Sequence, residues 1–73
     1  MMNRINKEHL ERRVGYLNEL LDGRKVYEIG YRNGNCMLDQ SSLTHAHCII
    51  KTITAGTKRE VNESLSAMIE VLR

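Results

Sequence analysis

The sequence predicts an α+β domain of two layers, ordered helix, three antiparallel strands, helix, with both helices on one face of the sheet. Three observations carry this expectation. Apolar residues recur at helical spacing near both ends of the chain, as Leu10, Val14, Leu17 and Leu21 and again as Val61, Leu65, Met68 and Leu72. Between them the period shortens to two around Asn33-Gly34, the strongest two-residue hairpin signal, because both turn positions need positive φ. Helices with one apolar stripe each bury both stripes most economically side by side on one sheet face.

The first helix is expected from about Lys7 to Asp22, with Asn6 as its cap and Ile5 and Leu10 placed for a hydrophobic staple. Gly23 is the expected left-handed stop, and Gly15 marks a place where the sheet could approach closely. Strands follow at Lys25 to Arg32 and Asn35 to Gln40. A two-residue turn pairs Arg32 with Asn35 and Tyr31 with Cys36, and this register puts Tyr31, Cys36, Ile29 and Leu38 on one face. It also sets Glu28 opposite Asp39, a like-charge pair that calls for water. A third strand is expected over Ala46 to Ile53, with Ala46, Cys48 and Ile50 inward and His47, Ile49, Lys51 and Ile53 outward. Thr57-Lys58-Arg59-Glu60 is a capping box that opens the second helix, which runs to about Leu72. The three tyrosines, Tyr16, Tyr27 and Tyr31, are expected to fill the core.

Seventy-three residues suffice for a single domain, 1–73, but leave little room for a deep private cavity, which disfavours most enzyme classes. Eleven Lys and Arg against nine Asp and Glu give a net charge of +2, too balanced to dictate a nucleic-acid partner. Two cysteines and an N-terminus with no apolar h-region point to a reduced, cytoplasmic setting, and no apolar run is long enough to span a membrane. His45, His47, Cys48 and Cys36 are the one cluster of ligand types. The paired spacings of structural zinc sites are missing, so no metal, cofactor or catalytic residue is expected.

Two surfaces remain as functional candidates. If the helices cover one sheet face, Val26, Met37, His47, Ile49, Lys51 and Ile53 lie on the other, and an exposed apolar patch there implies a partner, either another protein or a second copy of the chain. Lys58 and Arg59 occupy the first turn of a helix, where cations are disfavoured, and with Arg12, Arg13 and Arg4 they could form an anion or nucleic-acid surface.

The αβββα order with Lys58-Arg59 opening the last helix resembles the double-stranded RNA-binding domain. That family reads RNA through its first helix, a Gly-Pro-x-His loop and a lysine-rich last helix. The corresponding loop here is Asn33-Gly34, and the lysine cluster reduces to Lys58-Arg59. Ile5-Asn6-Lys7-x-x-Leu10, followed by Val14, Asn18 and Leu20, together with Asn35-Cys36-Met37-Leu38 and Lys58-Arg59-Glu60 with Met68, is similar to small proteins of tailed phages and prophages. That resemblance covers nearly the whole chain, although their Pro-containing segment before the first strand is missing. It implies a phage accessory protein that acts by binding, with a host defence or regulatory factor as the expected partner. The sequence therefore predicts a non-enzymatic protein-binding domain, with nucleic-acid binding as the alternative.

Overall fold

A computed structural model describes residues 5–45 and 47–73. The chain forms α1 (Lys7–Leu21), β1 (Val26–Arg32), β2 (Asn35–Ser41), β3 (Ile49–Gly56) and α2 (Lys58–Leu72), with the strands in the order β1-β2-β3 and both pairings antiparallel. Each of the four connections between successive elements reverses the chain, so the two helices run in the same sense. Lys7, at the start of α1, lies 5.5 Å from the ring centroid of Tyr31, and Lys58, at the start of α2, borders the same hairpin end. Leu21 and Leu72, at the two helix ends, line one groove beside Tyr27.

Local chemistry sets the helix limits. Asn6 Oδ1 accepts from the His9 amide at 2.8 Å, the cap expected from the sequence. The helix ends one residue early, because Asp22 takes the left-handed conformation (φ 50°) ahead of Gly23 (φ 83°). Arg24 folds back to donate to the carbonyls of Leu21 (2.8 Å) and Leu20 (3.3 Å), satisfying acceptors the helix end leaves open. At α2 the capping box is complete: Glu60 N donates to Thr57 Oγ1 at 3.2 Å and Thr57 N to Glu60 Oε1 at 2.8 Å. The side chain of Asn18 acts as a strand surrogate, donating to Tyr27 O (3.0 Å) and accepting from Tyr27 N (2.9 Å), and so closes part of the β1 edge.

The core is one cluster drawn from both helices and the inner sheet face: Leu10, Val14, Leu17, Leu21, Tyr27, Cys36, Leu38, Val61, Leu65 and Ile69, with Ile5, Leu20, Ile29, Ile53 and Met68 packed at its margin. The hairpin register matches the expectation pair for pair from Glu28 opposite Asp39 to Arg32 opposite Asn35 and continues to Val26 opposite Ser41, around a turn with Asn33 at φ 52° and Gly34 at φ 77°.

β3 departs from the simple alternation. Its pairing with β2 shifts between Leu38 and Asp39 and again between Gln40 and Ser41, leaving Ile53 and Ile50 without partners. The first shift brings two consecutive residues to the helix side: Ile53 packs on the core, and Thr54 Oγ1 meets Ser64 Oγ of α2 at 2.6 Å. Ile53 is therefore an inner residue, not an outer one. Cys48 and Ile50, expected inside, are exposed, and β3 begins only at Ile49. Ala46 and Arg4 lie outside the described residues. Of the tyrosines only Tyr27 is buried. Tyr16 and Tyr31 keep about two-fifths of their surface in water, so aliphatic side chains carry most of the core. Gly15 faces open space with nothing within 4 Å, so it serves no close approach.

Candidate functional site

The open sheet face is organised by charge rather than by apolar side chains. Asp39 sits at its centre, 1% exposed, and is held by three donors. Arg32 Nη1 and Nη2 reach its two oxygens at 3.2 Å each, and Thr52 Oγ1 donates to Oδ1 at 2.8 Å. The guanidinium passes over Gly30, where a side chain would stand in its way. Glu28, directly opposite Asp39, is drawn elsewhere: Ser41 Oγ donates to its Oε2, and His47 Nδ1 lies 3.3 Å from its Oε1. The like-charge pair is eased by separate partners, with Glu28 still partly exposed, and both carboxylates are tied into cross-strand bonds.

Serine, carboxylate and imidazole meet here, but the order is wrong for nucleophilic catalysis. A serine nucleophile must hand its proton to histidine, with the acid behind the imidazole. Here Glu28 stands between them and Ser41 is 3% exposed, so its hydroxyl faces a carboxylate and not solvent. Among the described residues no group of three or more His, Cys, Asp and Glu could hold a metal ion, and no helix is long and apolar enough to cross a membrane. Cys36 and Cys48 are free. Cys36 lies opposite Gly56 at the hairpin end, while Cys48 precedes the far end of β3. Burial raises the Cys36 pKa, against the smaller opposing effects of the Tyr31 hydroxyl and the Lys58 charge.

Of the residues expected on the outer face, Val26 and Ile49 flank Ser41 in one cross-strand row, and Met37 lies beside Gly30 and Ala55. His47 has left the strand for a turn at φ 60°, although its ring still reaches Glu28. Lys51 pairs with Gln40, whose other neighbour is the core residue Tyr27, so the register assigns it to the helix side. The expected apolar sheet patch is therefore broken by the Arg32–Asp39 and Glu28–Ser41 groups.

Exposed apolar surface collects instead at one end of the molecule. Among the described residues seven large hydrophobics are exposed, and five of them, Leu43, Ile49, Ile50, Val71 and Leu72, belong to the end where β1 begins and both helices stop. There Leu21, Tyr27, Ala67, Met68, Val71 and Leu72, with the stem of Lys25, border a groove of about 350 Å³. Val71 is 83% exposed and Ile50 62%, unusually bare for aliphatic residues.

The four basic residues singled out from the sequence are not brought together. Arg12 and Arg13 line a cavity of about 400 Å³ with His9, Tyr16, Ile69 and Arg73. Lys58 borders a different one of about 260 Å³, with Tyr31, Cys36 and Gly56, and Arg59 lines neither. Arg73 and His9 were missed, although His9, Arg12, Arg13 and Tyr16 recur at i, i+3, i+4 and i+7, a second stripe along α1 beside the apolar one. Compared with protein-family descriptions, with curated proteins and with solved structures, the chain matches none.

Proposed function

We propose that this protein is a non-enzymatic binding module that docks a protein partner on its apolar end. The observation that carries the reading is an open groove lined by Leu21, Tyr27, Met68, Val71 and Leu72, with Val71 and Leu72 left in water, at the end of the fold where Leu43, Ile49 and Ile50 are also exposed. An open apolar groove of this kind on a small domain supports an interaction site. The groove of Leu21, Tyr27, Met68 and Val71 offers a place for an aliphatic or aromatic anchor, with Lys25 at the rim. The similarity to small phage and prophage proteins directs the search to the proteins of a bacterial host, defence and regulatory factors first.

The test compares the chain with Val71→Asp and Ile50→Asp variants in affinity capture from bacterial lysate, followed by titration of the captured protein. Burying one such side chain contributes about 1.5–3 kcal/mol, so each variant should weaken binding about tenfold or more. Capture that both variants leave unchanged refutes the reading. If the partner is a second copy, light scattering reports a dimer that both substitutions dissociate.

A further inference from the structure

The groove between α1 and the end of α2 holds a different chemistry from the apolar end, and its argument stands independently of it. His9, Arg12, Arg13 and Tyr16 span about 10 Å along one face of α1 at a rise of about 1.5 Å per residue. Arg73, one turn beyond Ile69 on α2, closes the far wall of the same cavity. Three arginines thus line one open space of about 400 Å³. None of them is spoken for: among the described residues the ion pairs are Arg32 with Asp39 and His47 with Glu28. Glu8, Glu11 and Glu70, the acids nearest in sequence to these arginines, make no ion pair with them. Three arginines on one groove, none of them in an ion pair with a carboxylate, favour an anionic ligand there.

The kind of anion follows from the neighbours. Guanidinium is a planar fork suited to phosphate oxygens, and several forks in a row match a chain of phosphates better than one small ion. The groove is open and shallow, its floor the buried side chain of Ile69, so it does not enclose a small molecule. Tyr16 stands in the same groove with 44% of its surface exposed, an aromatic face beside the cations and outside the core. Cations that track a phosphate backbone beside an aromatic platform for bases are the arrangement that holds unpaired strands. A duplex keeps its bases stacked inside and offers nothing to that ring. We infer that the groove lined by Arg12, Arg13, Tyr16 and Arg73 binds single-stranded nucleic acid, the guanidinium groups holding successive phosphates and Tyr16 stacking on a base.

Fluorescence anisotropy with a labelled oligothymidylate of about 12 nucleotides tests this. Three phosphate contacts at about −0.7 each give a slope near −2 for log affinity against log salt, a roughly 20-fold loss between about 50 and 200 mM KCl. In Arg12→Gln with Arg13→Gln, which keeps much of the aliphatic stems, the slope should shrink to about −0.7. Tyr16→Ala should weaken binding about fivefold or more with the slope unchanged, and Tyr16→Phe should restore it. Lys51→Gln, away from the groove, is the control that should change nothing, and far-UV circular dichroism checks that each variant folds. No binding at low salt, a slope untouched by the double arginine variant, an inert Tyr16→Ala, or a duplex of equal length bound as tightly would each overturn the proposal.

Discussion

A methyl group placed on residue 30 should destabilise this domain, although glycine in a strand is normally the poorer choice. Exchanging Gly for Ala where the backbone permits it stabilises by about 0.4–1 kcal/mol, because the unfolded chain loses freedom. At Gly30 the new Cβ would stand 3.0 Å from Asp39 Oδ2 and 3.2 Å from Arg32 Nη1, tighter than such contacts normally run. Asp39 is 1% exposed and cannot retreat into water, so the guanidinium must give way. A hydrogen bond to a charged group contributes about 1.5–3 kcal/mol, and the 45% exposure of the Arg32 side chain lets water recover part of it. The net loss is about 1–2 kcal/mol, which for a domain of this size is roughly 5–15 °C in Tm. Urea unfolding followed by circular dichroism reads it directly. Gly15→Ala, on an exposed helix position with nothing within 4 Å, is the matched control and should raise stability by about 0.5–1 kcal/mol. With Asp39→Ala in place the obstruction is gone, and Gly30→Ala should become neutral or stabilising. A Gly30→Ala variant more stable than the parent, or an effect unchanged by Asp39→Ala, would refute the reasoning.

Other expectations are as concrete. Asn18→Ala removes both bonds to the Tyr27 backbone and should cost about 1–3 kcal/mol, with faster hydrogen exchange at the Tyr27 amide as its local signature. Cys48, exposed, should react with a thiol reagent at a free-peptide rate while Cys36 reacts only on unfolding, and equal rates would contradict the placement of Cys36. Because burial raises the Cys36 pKa in the folded state, the unfolded chain releases that proton first. Its contribution is intact below the ordinary value of 9.0 and is lost as pH rises past it, so urea midpoints should fall in that range, and less steeply in Cys36→Ala.

The parts legible in the sequence are those decided by neighbours along the chain. Asn33-Gly34 dictates the turn, the turn dictates the hairpin register, and Thr57 with Glu60 dictates where α2 begins. The inner face of β3 was not legible, since strict alternation holds only until a bulge resets it, and β3 carries two. The phase error carried Ile53 to the wrong side and Cys48 into the core. It also made the open face read as apolar, because the reach of Arg32 over Gly30 to Asp39 joins residues seven apart through an absent side chain, which no periodicity reports. Arg12 and Arg13 were visible as cations, but their company in space was not. Arg73 joins them because the two helices pack against each other.

That helix arrangement also orders how the domain comes into being. Leu10, Val14 and Leu17 of α1 find their cover partly on Val61, Leu65 and Ile69, roughly fifty residues later. During synthesis the hairpin can close as soon as its own strands exist, whereas the stripe of α1 must wait for nearly the whole chain. Folding should therefore be a single late event, with no half of the molecule stable alone. A chain cut before Val61 loses its native fold outright, which makes α2 the element whose arrival commits the protein to its structure.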